Sequence, residues 1–218
     1  MKKEEKTPFD LEELANALTH GVGACFSLAG LIFLILQSVW HADALHLTCV
    51  IIYGVSLTFL YTISTLYHSF KKASLKRTFR ILDHCAIYLL IAGSYTPFAA
   101  LLIKGTMGIT LLVIVWTMAL FGIIFKIFFT GKMELLSNIL YLSMGWISII
   151  AIKPMLENMP FASLVLLFAG GASYSLGIIF YLWDRLPFNH TIWHLFVLGG
   201  SACHYLSISS SLFPSLFY

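Results

Sequence analysis

Long apolar runs, separated by short polar stretches, follow one another along the whole chain. A helix that crosses a membrane needs about 20 consecutive apolar residues, and seven runs approach or reach that length. They cover residues 18–39, 44–67, 81–103, 107–129, 135–152, 161–183 and 191–212. Pro97 lies inside the third run, where the missing N–H of proline predicts a kink. The pattern predicts a bundle of seven transmembrane helices.

Composition supports the same class of protein. Of the 218 residues, 59% are apolar and 11% are charged, whereas soluble domains have about 45–50% and about 25%. So few charged residues cannot cover a surface in contact with water, which excludes a soluble globular protein. The 18 Phe and 10 Tyr residues argue against disorder. The apolar runs are unbroken, unlike the alternating strands of a membrane β-barrel. We expect one all-α integral membrane domain over residues 1–218.

Lysine and arginine are distributed unevenly among the loops. With seven spans, 11 of the 13 Lys and Arg residues fall on the side of the amino terminus, and only Lys104 and Lys153 fall on the other. The positive-inside rule therefore predicts a cytoplasmic amino terminus, including a cytoplasmic segment over residues 1–17, and a carboxyl terminus outside. We expect the long side chains of Lys126 and Lys153 to reach from their spans towards the membrane surface.

Four ionisable residues lie near the ends of three spans. His68 lies at the end of the second span, Asp83 at the start of the third, and His190 and His194 at the start of the seventh. The topology places all four at one membrane depth on the predicted cytoplasmic side. Ionisable groups are costly inside a membrane and commonly mark functional sites, so this coincidence is the strongest indication of function in the sequence.

These residue types are suited to binding a metal. His190 and His194 are four residues apart and share one helix face, and His68 adds a third nitrogen from another helix. Three histidines with one open position form the ligand pattern of catalytic zinc. Asp83 is the candidate base. Ser64, one turn before His68, is a candidate to orient water or bind a carbonyl oxygen, or it can simply hydrogen-bond to a carbonyl of its own helix.

Other interpretations of these residues stay open at this point. Histidines near a membrane surface can hydrogen-bond to lipid headgroups or water, and the same residues can form a proton or ion pathway. Asp83 can instead cap a helix or pair with Arg80. Glu13, Asn16 and His20 share one face of the first helix, and we hypothesise that they close the cytoplasmic mouth above the metal.

The order of these residues along the chain resembles the pattern of a known family, the hemolysin III family. That family belongs with the progestin and adipoQ receptors and, more distantly, with the alkaline ceramidases. The short chain is similar to bacterial members rather than to animal receptors. The resemblance rests on Glu13-x-x-Asn16-x-x-Thr19-His20-Gly21, Ser64-x-x-x-His68, Asp83 and His190-x-x-x-His194, in this order along the chain.

The resemblance implies zinc held by His68, His190 and His194, with Asp83 holding a water molecule and Ser64 close by. It implies a membrane hydrolase, since the receptor and ceramidase relatives hydrolyse lipid amides, and bacterial relatives are linked to membrane fluidity. We therefore expect a zinc-dependent hydrolase of a lipid amide or ester that acts in membrane lipid homeostasis. The expected location is the bacterial inner membrane, and the expected partner is membrane lipid, with no nucleic acid.

Three alternative functions remain at this stage. The first is a non-enzymatic sensor or regulator in which a structural zinc ties helices together, although structural zinc sites normally have four protein ligands. The second is a cytolysin, as the family name suggests, and the third is a proton or ion transporter. The sequence leaves the substrate and the oligomeric state open.

Overall fold

The computed structural model describes residues 11–216, and every long element in that range is helical. Seven helical spans are long and apolar enough to cross a membrane, which confirms the predicted seven-helix fold. The α-helices are α1 (Leu11–His41), α2 (Ala44–Ser69), α3 (Ala73–Pro97), α4 (Gly105–Phe129), α5 (Glu134–Trp146), α6 (Ile152–Asn158), α7 (Phe161–Tyr181) and α8 (Asn189–Leu212).

The first span is longer than the apolar run that predicted it. Helix α1 already includes residues 11–17, which belong to the predicted cytoplasmic segment, while residues 1–10 of that segment lie outside the described residues. The fifth span consists of α5 and α6, joined by the 3₁₀ turn Ile147–Ala151. Pro154 stands in the first turn of α6, where proline is tolerated because its N–H is not needed.

The third span begins eight residues before the apolar run and changes its helical form at Pro97. Helix α3 starts at Ala73, so Arg80 and its basic neighbours occupy its first turns. After Pro97 the chain continues as the π-helical segment Phe98–Ile103. The sequence predicted a kink at Pro97, and the structure shows a π-helical segment directly after it, a wide form of helix that occurs mostly as short bulges within α-helices.

Helix α3 lies at the centre of the bundle. In its most apolar stretch 72% of the residues are buried, compared with 22% in α1 and 28% in α4. Helix α1 packs against both α2 and α8, and α2 packs on α3. Large apolar side chains such as Phe26, Phe121 and Phe161 are exposed on the outer helices, as expected for surfaces that face lipid chains.

Candidate metal centre

Three histidines meet at one end of the bundle, which we call the histidine end. His68 lies in the last turn of α2, and His190 and His194 lie in the first two turns of α8. One ring nitrogen from each histidine lies within 4.8 Å of those of the other two. His68 and His194 are buried and His190 is half-buried. This cluster could hold a metal ion.

In two of these rings, hydrogen bonds engage Nδ1 and leave Nε2 available to bind a metal. Nδ1 of His68 is 3.0 Å from the carboxylate of Glu13, which only accepts, so Nδ1 carries the proton. Nδ1 of His194 is 3.2 Å from Oγ1 of Thr19, whose own proton goes to backbone carbonyls of α1. Both rings therefore present an unprotonated Nε2, and Nε2 of His68 is buried without a hydrogen-bond partner within residues 11–216. Neutral imidazole nitrogens of this kind fit a zinc ion.

Helix α1 supplies the supporting contacts. Glu13, Asn16, Thr19 and His20 are spaced by three or four residues or adjacent, so they share one broad side of the helix. Besides the two bonds already described, Oδ1 of Asn16 accepts a 2.6 Å hydrogen bond from the hydroxyl of Thr191. Such supporting hydrogen bonds fix the ring orientation of metal ligands and the nitrogen that binds.

His20 contacts both the histidine cluster and Ser64. Its ring stacks on that of His194, with centroids 3.4 Å apart and planes 8° from parallel. Its Nδ1 lies 2.7 Å from Oγ of Ser64. The sequence grouped His20 with Glu13 and Asn16 on one face, and the structure shows that this face packs against the cluster.

Ser64 and Asp83 are placed beside the cluster, on α2 and α3. Both are buried, and both line the same pocket as His190 and His194. We call this pocket, lined also by His20, His84, Glu134 and Asn138, the polar pocket. All five residues that the sequence singled out for the site are thus close together in space.

Two of the alternative roles for Asp83 are wrong. Helix α3 begins at Ala73, so Asp83 lies in its third turn and does not cap it. Arg80 has a different acidic neighbour, because its guanidinium is 3.6 Å from Oε1 of Glu134. Asp83 lines the polar pocket instead of serving either of these structural roles.

A second cavity adjoins the polar pocket and extends away from the histidine end. This apolar cavity has a volume of about 130 Å³ and is lined mainly by aliphatic and aromatic side chains. The two cavities share Leu60, Ile87, Tyr141, Trp193 and Val197 as walls. His204 lines the apolar cavity, and its Nε2 is 3.2 Å from the carbonyl oxygen of Leu167, so it is not part of the cluster.

The family of the chain follows from a comparison with known proteins. The family model described as haemolysin-III related matches residues 10–205. The chain belongs to the haemolysin III-related family. This membership confirms the resemblance noted in the sequence, and the matched segment contains every residue of the histidine cluster and its supporting contacts.

Relatives of this haemolysin III-related protein occur in bacteria and in animals. It is 50% identical to Hemolysin-3 of Bacillus cereus over 98% of both chains. It is 51% identical to the Hemolysin-3 homolog of Bacillus subtilis (strain 168), over 90% of this chain and 92% of that protein. It is 32% identical to the human monocyte to macrophage differentiation factor, over 95% of this chain and 87% of that protein. No solved structure matches the chain.

A charged cluster in this haemolysin III-related protein was missed in the sequence. Lys126 is fully buried, and its Nζ lies 2.8 Å from Oε2 of Glu134. The expectation that Lys126 reaches the membrane surface is therefore wrong. Glu134 is the first residue of α5, and a short turn separates it from the end of α4, where Lys126 lies. The sequence did contain a signal for this pair, since an acidic residue follows Lys126 directly after that short turn.

Proposed function

We propose that this haemolysin III-related protein is a zinc-dependent hydrolase that acts on a lipid amide or ester. The observation that carries the proposal is the cluster of His68, His190 and His194 beside a pocket that Asp83 and Ser64 also line. Three protein ligands leave one coordination position open, which is typical of catalytic zinc, whereas structural zinc normally has four.

The residues around the pocket suit hydrolysis of a carbonyl compound. His68, His190 and His194 would hold the zinc ion, which when bound would polarise a carbonyl group and make a water molecule more acidic. Asp83 is the group that would accept a proton from water and return it to the leaving amine or alcohol. Ser64, held by His20 at 2.7 Å, would donate a hydrogen bond to the oxygen that gains negative charge.

The apolar cavity supports a lipid as the substrate. Its walls are continuous with those of the polar pocket through shared residues such as Trp193 and Val197. An acyl chain in the apolar cavity would bring the adjoining amide or ester to the metal, since ligand sites are mainly apolar with a few polar groups that fix orientation. Membrane lipid is therefore the proposed partner, and lipid homeostasis the proposed role.

The histidine end is proposed to face the cytoplasm from the bacterial inner membrane. The support is the distribution of 11 of the 13 Lys and Arg residues on that side, together with the positive-inside rule. The close relatives from two Bacillus species are consistent with a bacterial membrane.

The metal is tested by elemental analysis of the purified protein. We expect about one zinc per chain, because three ligand nitrogens converge on one point, and we expect His194→Ala to lose it. His46→Ala is the matched control, since His46 lies at the other end of α2 and should leave the zinc content unchanged. Folded wild-type protein without metal would contradict the proposal.

The reaction is tested with a panel of lipid amides and esters. Asp83→Asn should keep the zinc and lower turnover at least about 100-fold, since a general base contributes about 10²- to 10⁴-fold. Asp184→Asn, a change of the same kind at an exposed position, should retain turnover. Zinc that stabilises the fold without turnover of any lipid would favour the sensor with structural zinc instead.

A further inference from the structure

A second group of polar atoms lines the polar pocket, apart from the metal cluster. His84 on α3 and Asn138 on α5 are both more than nine-tenths buried, with 8% and 6% of their surface exposed. Nδ1 of His84 and Nδ2 of Asn138 have no hydrogen-bond partner among the described residues. Buried polar atoms are nearly always paired, and an unpaired one calls for a ligand or a water molecule.

The surrounding charges favour an uncharged ligand group. Glu134 lines the polar pocket and its Oε2 is 3.9 Å from Nδ1 of His84, so an anion would meet a carboxylate. Lys126 and Arg80 already pair with this carboxylate, and a cationic group offers no acceptor to the donor Nδ2 of Asn138. An uncharged group therefore suits the pocket better than an anionic or a cationic one.

The two unpaired nitrogens suit a hydroxyl group. Nδ2 of Asn138 donates, so it needs an oxygen acceptor on the ligand. Nδ1 of a neutral His84 donates or accepts according to the tautomer. A hydroxyl carries one donor and two acceptor sites, so it can pair with both nitrogens in either case, whereas a carbonyl oxygen only accepts.

We infer that Asn138 and His84 form a subsite for a hydroxyl on the uncharged head of the substrate lipid. This inference rests on the proposed function and specifies the class of substrate. The acyl chain lies in the apolar cavity, the carbonyl lies beside the histidine cluster, and the hydroxyl binds at Asn138 and His84. Anionic phospholipids are then poor ligands of this pocket.

The test compares two lipids that differ by a single hydroxyl, N-palmitoylethanolamine and N-ethylpalmitamide. Each displaces tritiated N-palmitoylethanolamine from the purified full-length protein in lipid nanodiscs. The ratio of the two affinities is compared within each variant, so differences in membrane partitioning cancel between variants. The wild type should prefer the hydroxylated lipid by about 5- to 10-fold, as expected for one additional hydrogen bond.

Asn138→Leu should reduce that preference to about 1, because leucine has a similar size and no donor. Asn158→Leu is the matched control, as Asn158 lies at the opposite end of the same membrane span and should keep the wild-type ratio. His84→Phe keeps a ring without nitrogens and should also lower the ratio, which provides a second variant if Asn138→Leu does not fold. Zinc content verifies that each variant is intact.

Three results would overturn the inference. They are equal binding of the two lipids by the wild type, no binding of either lipid, and an unchanged preference in Asn138→Leu or, if that variant does not fold, in His84→Phe. The assay does not depend on turnover and is repeated in Asp83→Asn. A hydroxyl preference in a protein that hydrolyses no lipid would support the subsite while contradicting the hydrolase.

Discussion

Single residues of α1 fix the tautomer of two of the three clustered histidines. His68 and His194 both have Nδ1 engaged by a side chain of α1, Glu13 in one case and Thr19 in the other. Each contact fixes the tautomer, so Nε2 is available without rearrangement. The three histidines come from α2 and α8, but side chains of α1 orient the rings of His68 and His194.

The contact between Glu13 and His68 leads to a prediction about metal affinity. Glu13→Gln should weaken zinc binding by about 10- to 100-fold, the usual effect of removing a carboxylate that supports a ligating histidine. The measurement is competition for zinc between the purified protein and a chelator of known affinity.

Glu13 also lies 2.8 Å from Nζ of Lys76, so the control removes that ion pair alone. Lys76→Met leaves the carboxylate on His68 and should bind zinc nearly as well as the wild type. Equal losses in the two variants would mean that the ion pair, and not the support of His68, accounts for the effect.

The sequence predicted the residues of the histidine cluster more readily than the side chains that support them. His190 and His194 are recognisable because their spacing of four is local, and His68 and Asp83 because they are ionisable residues in apolar runs. Asn16 and His20 were grouped by spacing, but their partners Thr191 and Ser64 are 175 and 44 residues away. Such pairs depend on how helices pack side by side, which periodicity does not specify.

At the scale of elements, apolar runs located the helices but not their ends. Helix α3 starts at Ala73, whereas the apolar run starts at residue 81. Hydropathy detects the part of a helix that lies in hydrocarbon, and a helix can continue beyond it with charged side chains. The basic first turns of α3 matter for the site, because they bring Lys76 to Glu13 and Arg80 to Glu134.

The packing of α4 against the π-helical segment leads to a prediction about stability. A Cβ on Gly108 would overlap the backbone carbonyl oxygen of Ala99, which cannot rotate away as a side chain can. Gly108→Ala should therefore lower the free energy of unfolding by about 1–3 kcal/mol, the usual range for overpacking. Unfolding of the purified protein in mixed micelles measures this change.

Gly145→Ala is the control for that experiment. A Cβ on Gly145 meets no atom within 4 Å, and alanine is favoured over glycine in a helix, so this variant should be as stable as the wild type or slightly more stable. If Gly108→Ala is equally stable, the close approach of α4 to Ala99 does not limit the packing.

At the scale of the whole molecule, the site joins distant parts of the chain at one depth. Helices α1, α2, α3 and α8 all contribute to it, so the first and last described spans must pack together, as they do. Successive spans cross the membrane in opposite directions, which determines which helix ends lie on the same side. The number and order of the spans therefore predicted the common depth of His68, Asp83 and His190. They did not predict the polar pocket or the apolar cavity, because both depend on lateral packing.

The orientation of the whole bundle determines which side of the membrane the histidine end faces. The seven-span topology predicts that 11 of the 13 Lys and Arg residues lie on the side of the histidine end, and such an excess keeps loops in the cytoplasm. With seven spans, we therefore expect alkaline phosphatase fused after Tyr218 to be active and green fluorescent protein fused there to be dark. Fusions after Lys132, in the loop between the fourth and fifth spans, should show the reverse and serve as the internal control. A fluorescent fusion after Tyr218 together with a dark one after Lys132 would place the histidine end outside, where it would meet lipids of the outer leaflet and extracellular metal instead of the cytoplasmic pool.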